Sequence, residues 1–158
     1  MNFELLNSIS CNEIIPNLTV GNAATAKNKE FDLIINCTNN INYKSKGIIM
    51  RIPIDDLPED SDILMTYLPT IIENIHNFLK KQKTVLVHCS MGVSRSCTVI
   101  AAYLIKYFVN VRSVDEIISF IKEKRKEAFL VEVRFRLVLE KCLEIKKREL
   151  MNKHISFT

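Results

Sequence analysis

The chain has 158 residues, of which 47% are hydrophobic, and its formal net charge is +4. This length and apolar content predict one domain with a full core, and no stretch approaches the ~20 apolar residues of a membrane span. The first residues, Met1–Glu4, lack the basic and apolar regions of a signal peptide. We therefore expect a soluble protein of the cytoplasm, with the nucleus as an alternative compartment.

The acidic turn near residue 60 is followed by a helical pattern. Apolar residues recur at helical spacing from Ile63 to Leu79, which predicts a crossover helix before the central strand. Pro69 predicts a kink or a restart within it. Asp60 and Asp62 are expected to cap its first turn, where carboxylates are favourable.

A strand, a short loop and a helix come next. Thr84–Val87 is continuously apolar and β-branched, which predicts a strand buried on both faces. Ser96–Phe108 contains neither Gly nor Pro and has apolar residues at helical spacing, so a helix is predicted there. The intervening loop should leave the carboxyl end of a central strand and enter a helix N-terminus.

Two further helices are predicted before a polar end. Ser113–Glu116 is a capping box, and the buried face of its helix is expected to comprise Val114, Ile117, Ile118 and Ile121. Phe135–Leu143 marks a last amphipathic helix. The core is expected to occupy about residues 14–146, and the polar C-terminal end, residues 147–158, is predicted to be frayed. The pattern as a whole indicates an α/β fold.

The loop between strand and helix carries a cysteine and an arginine. Unpaired N–H groups at a helix N-terminus favour an anion, and Gly92 lets the backbone curl around it. The same groups and the Arg95 guanidinium should lower the pKa of Cys89 and make it a thiolate nucleophile. The Ser96 hydroxyl could donate to the Cys89 sulfur, and His88 is expected to fix the loop from behind.

The loop residues themselves indicate the kind of phosphate. Ser90, Met91, Val93 and Ser94 carry no charge, whereas a phosphoinositide or an RNA 5′-phosphate would favour additional Lys or Arg. This favours a monophosphorylated protein as partner and substrate. The predicted phosphate-binding residues are Ser90, Met91, Gly92, Val93, Ser94 and Arg95.

The His88–Ser96 motif resembles the signature of the cysteine-dependent protein phosphatases, which is His-Cys, five residues, Arg, then Ser or Thr. Within that superfamily the chain is similar to the dual-specificity phosphatases. Thr98–Ile105 resembles the family's helix, Ile15–Asn22 its opening strand and turn, and Phe31–Thr38 its second strand. The resemblance extends from about Ile14 to Leu143.

The resemblance implies a single catalytic domain over residues 1–158, with a central, mostly parallel twisted sheet flanked by helices on both faces. It implies hydrolysis of phosphotyrosine and phosphoserine or phosphothreonine on proteins through a phosphocysteine intermediate, with no metal or other cofactor. Two alternatives stay open. One is a catalytically weak phosphoprotein-binding module, and the other is a phosphatase acting on a phosphoinositide or an RNA 5′-phosphate.

The resemblance also implies a general acid on a loop after a strand, here Ile48–Ile54. Aligning Ile52-Pro53 on the family's Ile-Pro assigns this role to Asp56, with Asp55 as the alternative. The chain departs from the family where Val131-Glu132 replaces a common Pro-Asn, whose Asn usually braces the phosphate-binding loop.

Cysteine number and charge pattern complete the expectations. Five cysteines form an odd set without close pairs, which favours reduced thiols over a disulfide framework or a zinc site. Basic residues without interleaved aromatics give little support for nucleic-acid binding and predict a solvated helix face. They are Lys122, Lys124, Arg125, Lys126, Arg134 and Arg136. The oligomeric state stays open.

Overall fold

A five-stranded sheet organises the chain, of which the computed structural model describes residues 8–156. The strand order is β1-β2-β5-β3-β4, and only the β1–β2 pair is antiparallel. β5 therefore lies in the middle of the sheet, as its apolar sequence predicts. The strands are β1 (Cys11–Ile15), β2 (Leu18–Gly21), β3 (Leu33–Asn36), β4 (Ile48–Arg51) and β5 (Val85–His88).

Helices cover both faces of this sheet, which confirms the predicted architecture. α1 packs against β5 on one face, and α3 on the other face contacts β5, α2, α4 and α5. A 3₁₀ turn, Pro58–Asp60, leads into α2. The helices are α1 (Ala23–Asn28), α2 (Ser61–Lys80), α3 (Arg95–Tyr107), α4 (Val114–Lys124) and α5 (Arg136–Ser156).

Alternation along the central strands divides the core between the two faces. In β5, Val85 and Val87 belong to the large core under α2–α5, whereas Leu86 belongs to a small cluster with Ala26 of α1. Successive side chains of a strand point to opposite faces, so both faces need apolar residues. The strand is buried throughout, and its carboxyl end is fixed from both sides.

Several local expectations are corrected. The restart predicted at Pro69 does not occur, because a buried stripe that includes Leu64, Leu68 and Ile75 holds the continuous helix on the core against the cost of ~3 kcal/mol for an internal proline. Asp60 occupies the N-cap position of α2, but its side chain makes no capping hydrogen bond. Its carboxylate accepts instead from the backbone N–H of Asp55 at 2.7 Å.

The C-terminal end, expected to be frayed over residues 147–158, is helical up to Ser156, and residues 157–158 lie outside the described residues. α5 continues to Ser156, and its polar half is fastened by an Arg148–Glu144 ion pair and by Lys146, which donates to the carbonyl of Phe108. The capping box of α4 is confirmed in one half: Ser113 accepts from the N–H of Glu116 at 3.2 Å. Among residues 8–156, no helix is both long and apolar enough to cross a bilayer.

Candidate active site

The predicted anion loop, Cys89–Arg95, joins the carboxyl end of β5 to the first turn of α3, and we call it the phosphate loop. β5 is wholly buried, and so are Ser96 and Cys97 at the start of the helix. The loop therefore starts and ends in the core. Its middle residues, Ser90 and Met91, are exposed.

The carbonyl groups of the phosphate loop from Cys89 to Ser94 all accept hydrogen bonds from outside it. His88 Nδ1 donates to the Cys89 carbonyl at 3.0 Å, and the following carbonyls accept from four other parts of the fold. These bonds run from Ala23 N–H to Ser90 at 3.0 Å, from Arg125 to Met91 at 3.2 Å and to Gly92 at 2.7 Å, from Phe129 N–H to Val93 at 2.7 Å, and from Thr98 N–H to Ser94 at 2.9 Å.

The outward carbonyls determine where the amide groups point. In a planar trans peptide the C=O of one residue and the N–H of the next point in opposite directions. The N–H groups after Cys89 therefore face the inside of the loop, together with the N-terminus of α3. Such a ring of donors is an anion site.

Gly92 is required for this ring to close. Its φ of +71° lies in the left-handed region, and a Cβ there would come within 2.6 Å of the Gly21 carbonyl oxygen. A larger residue would be strained and would also clash with backbone. The N–H of Gly92 donates to the Cys89 sulfur at 3.3 Å.

The Cys89 sulfur lies at the centre of the donors. Its distance to Ser96 Oγ is 3.2 Å, which brings together the two residues that the sequence predicted to interact. Burial by itself raises the pKa of this thiol, but hydrogen bonds from Ser96 and Gly92 and the charge of Arg95 outweigh it, so the net pKa is lowered. The geometry favours a buried thiolate.

Arg95 links the phosphate loop to the preceding strand-end segment. Its side chain is half-buried, and Nη1 donates to the carbonyl of Ile54 at 2.9 Å. A guanidinium has five N–H donors, so this bond leaves others to hold two oxygens of a phosphoryl group.

His88 and Tyr43 form a support behind the loop. The His88 ring is buried, which lowers its pKa to about 4, so the imidazole is neutral at physiological pH. Because the Cys89 carbonyl can only accept, Nδ1 carries the proton, and Nε2 accepts from the Tyr43 hydroxyl at 2.5 Å. Burial raises the pKa of Tyr43, which keeps that hydroxyl protonated. The sequence predicted the support by His88 but gave no signal for Tyr43.

The carboxylates of Asp56 and Asp55 have different hydrogen-bond partners. Asp56 Oδ1 accepts from the hydroxyl of Ser94, in the phosphate loop, at 2.6 Å. Asp55 Oδ1 instead accepts from the side chain of Asn39 at 3.1 Å, and Asp55 is exposed. The carboxylate that lies against the phosphate loop is thus that of Asp56, the residue chosen from the Ile52-Pro53 alignment.

Arg134 holds the backbone of Asp56 in place. Its Nη1 donates to the Asp56 carbonyl at 2.6 Å, and its Nε lies 3.7 Å from Asp56 Oδ2. Nε also lies 3.0 Å from a carboxylate oxygen of Glu132. The segment after α4 is therefore joined to the residues after β4, a contact between parts of the chain far apart in sequence.

Arg125 is the main brace of the phosphate loop, and sequence reasoning missed it. The prediction of a solvated basic face is wrong for this residue, because its side chain is 1% exposed. Besides the loop carbonyls, it donates to Asn12 and Ser10. Its position four residues after Ile121 continues the buried stripe of α4, and this periodicity could have revealed it. Together with Phe129, it braces the loop where Val131-Glu132 replaces the family's Pro-Asn.

The remaining cysteines differ from Cys89. All five cysteines of the chain are free thiols, and burial raises the pKa of Cys37, Cys97 and Cys142. These three are protonated and poorly nucleophilic. Over residues 8–156, no group of three or more His, Cys, Asp or Glu side chains is arranged to hold a metal ion.

Comparison with known proteins identifies the family. Residues 16–142 match the family described as dual specificity phosphatase, catalytic domain. The chain belongs to this family. The phosphatase is 36% identical over 120 residues to 123R of Invertebrate iridescent virus 6, named as an inferred tyrosine phosphatase, with 74% of this chain and 81% of the viral protein covered.

A second relative agrees with this assignment, and a solved structure has the same fold. The phosphatase is 33% identical over 104 residues to mouse dual specificity protein phosphatase 14, covering 60% of this chain and 51% of that protein, so it spans about half the mouse protein's length. The crystal structure of human DUSP28 superposes with a TM-score of 0.74 at 23% identity, covering 87% of this chain and 95% of that one, and it shows the same fold. The chain is a protein phosphatase catalytic domain.

Proposed function

We propose that the chain is a single catalytic domain that hydrolyses phosphotyrosine and phosphoserine or phosphothreonine on proteins through a phosphocysteine intermediate. The observation that carries the proposal is the phosphate loop itself. Its carbonyls are held outward, its amides face inward, and the Cys89 sulfur lies among them with a lowered pKa. A tetrahedral phosphoryl group is the anion that such a ring accepts.

In the first step, the Cys89 thiolate attacks phosphorus in line with the leaving oxygen. A sulfur–phosphorus bond forms and the phosphorus–oxygen bond to the substrate side chain breaks. The loop amides and Arg95 stabilise the charge on the equatorial oxygens. Asp56 gives its proton to the departing oxygen, and its hydrogen bond from Ser94 supports its position at the mouth of the loop.

In the second step, Asp56, now a carboxylate, accepts a proton from water as the water attacks phosphorus. The sulfur–phosphorus bond breaks, inorganic phosphate leaves, and Cys89 returns to the thiolate. The Ser96 hydroxyl, 3.2 Å from the sulfur, donates to it as charge develops there. No step needs a metal, because the amides and Arg95 supply the positive charge.

The two alternatives gain no support from the site. A binding module would not need the sulfur to be ionised, yet the pKa of Cys89 is lowered. A phosphoinositide or an RNA 5′-phosphate would favour basic side chains on the loop, and Arg125, the basic residue that reaches it from α4, is buried and used for bracing. The nucleophile also requires a reducing compartment, which supports the cytoplasm as the site of action.

Hydrolysis of para-nitrophenyl phosphate in excess chelator tests the proposal. We expect turnover by the wild type, inhibition by vanadate, and loss of activity in Cys89→Ser. Cys97→Ser is the matched control, since Cys97 is a buried thiol of raised pKa and should retain turnover. Rapid acid quenching should trap phosphate on Cys89. Unchanged activity in Cys89→Ser would refute the mechanism, and tight phosphopeptide binding without turnover would favour the binding module.

A further inference from the structure

Four large apolar side chains are exposed around the mouth of the phosphate loop. Leu57 is 48% exposed, Met91 62%, Leu130 68% and Val131 84%. Exposed apolar residues scattered singly need no explanation, but a group of them around one opening marks a contact surface. We call these four residues the apolar rim.

Backbone and side-chain contacts fix each part of the rim beside the mouth. Met91 belongs to the loop, and Arg125 holds its carbonyl. Leu130 and Val131 directly follow Phe129, whose N–H donates to the Val93 carbonyl at 2.7 Å. The rim residues from the segment after α4 therefore lie within two residues of a direct bond to the loop.

Leu57 belongs to a second segment that contacts the loop. It follows Asp56, which Ser94 and Arg134 hold against the loop. Arg134 comes from the same segment as Leu130 and Val131, so its bond to Asp56 joins the two segments. Leu57 is thus one residue from a direct contact with the loop, as Leu130 and Val131 lie within two residues of one.

The charged groups of this region are mostly carboxylates. The Arg134 guanidinium contacts the carboxylates of Asp56 and Glu132, and the Asp55 carboxylate accepts from Asn39. One guanidinium offsets these two carboxylates only in part, and the Asp55 carboxylate is bonded to a neutral amide, so these groups do not attract an acidic substrate residue. What the rim offers to a substrate is apolar area.

We propose that the apolar rim selects phosphoproteins whose phosphorylated residue is flanked by apolar side chains. This inference rests on the proposed function, because a phosphate seated in the loop forces the substrate chain to cross the rim. Successive residues of an extended chain are ~3.3–3.6 Å apart, so the residues next to the phosphorylated one meet the rim directly. Burying apolar side chains there strengthens binding in proportion to the area removed from water.

Two phosphotyrosine peptides of equal length and charge test the proposal. One has Leu and Val on both sides of the phosphotyrosine, and the other has Ser and Gln at those positions. We expect the wild type to show a roughly tenfold higher kcat/KM for the apolar peptide. The double variant Leu130→Ser/Val131→Ser should reduce this preference to about twofold. Its turnover of para-nitrophenyl phosphate should not change, because that substrate has no flanking residues.

Val109→Ser is the matched control. Val109 is 84% exposed, as Val131 is, but it lies beyond the far end of α3, a helix ~20 Å long that starts at the phosphate loop. This variant should keep the full preference for the apolar peptide. A loss of preference in Val109→Ser would show that surface polarity in general, and not the rim, is responsible.

Other results would also overturn the proposal. The wild type could hydrolyse both peptides equally well, or the preference could survive Leu130→Ser/Val131→Ser. The kcat/KM values for the two peptides could also be equal while Leu130→Ser/Val131→Ser lowers turnover of a phosphoinositide in phosphatidylcholine vesicles. That result would make the rim a lipid contact. Failure of the proposed function gives a different result, since the wild type would then not hydrolyse para-nitrophenyl phosphate at all.

Discussion

The phosphate loop and the acid segment, Asp55–Asp60, face the same site but are held in different ways. The carbonyls of the loop accept from backbone groups and from the buried side chains of His88 and Arg125. The acid segment is held by side chains such as Arg134, which is 33% exposed, and by bonds within itself. The groups proposed to bind phosphate are therefore built into the core, whereas the proposed proton donor is attached at the surface. Changes that weaken the loop should lower stability, and changes to the acid segment should lower turnover alone.

Removing the brace of the loop should have the largest effect. Arg125→Gln leaves the Met91 and Gly92 carbonyls without their buried donor, which we expect to lower the free energy of unfolding by about 4 kcal/mol. Urea denaturation measures this loss, and kcat should fall with it. Lys124→Gln is the control, because Lys124 is exposed and should change stability by less than ~0.5 kcal/mol. An unchanged free energy of unfolding in Arg125→Gln would refute the role of Arg125 as a brace.

Acid should weaken the support behind the loop. His88 is held neutral with a pKa of about 4, against 6.5 when exposed, so below pH ~6.5 the unfolded chain takes up a proton that the folded protein does not. Stability from this residue is therefore complete above pH ~6.5, falls by about 3 kcal/mol towards pH ~4, and then levels off. Urea denaturation from pH 7.5 to 4 checks it. In His88→Asn this part of the dependence of the unfolding free energy on pH should vanish. An unchanged dependence would show that other groups cause it.

Changing the proton donor should reduce turnover without unfolding the protein. Asp56→Asn is expected to lower kcat by about a hundredfold, with unchanged stability. The loss should be greater for phenyl phosphate than for para-nitrophenyl phosphate, since the poorer leaving group depends more on protonation. Asp55→Asn, in which the contact with Asn39 is altered, should stay within about twofold of the wild type. The opposite result for the two variants would shift the role to Asp55.

The smallest effect is expected where the two regions touch. Ser94→Ala removes the hydroxyl that donates to Asp56 but leaves the loop carbonyls and their donors in place. A side-chain hydrogen bond contributes ~1 kcal/mol, so kcat should fall by about fivefold while stability changes little. In the double variant with Asp56→Asn the effect of Ser94→Ala on kcat should disappear, because the proton donor that the hydroxyl positions is already absent. Additive losses of kcat in the two single variants would contradict the role of the contact between Ser94 and Asp56.

The sequence predicted what is local and missed what is distant. Cys89, Arg95 and Ser96 lie within eight residues of each other, between a buried strand and a helix, so their proximity follows from local structure. The contact between Asp56 and Ser94 joins residues 38 positions apart, and the expected role of Asp56 came from the resemblance to a family.

Arg125 and Tyr43 show why the rest could not be predicted. Arg125 stands among lysines at the end of α4, and charged neighbours concealed that its own position continues the buried stripe. Tyr43 lies in an irregular segment with no periodicity, and only the packed structure brings it to His88. The polar end after Lys146 looked frayed because its composition does not reveal the bonds that fasten α5 to the loop after α3.

The most direct test of the central claim is a pH titration of the Cys89 thiolate, followed by its ultraviolet absorbance with the Cys89→Ser signal subtracted. If inward amides, Ser96 and Arg95 stabilise the anion, the midpoint lies below the ~8.5 of a free cysteine. It should move upward in Ser96→Ala. A midpoint at or above ~8.5 in the wild type would show that burial outweighs the donors, and it would contradict the account.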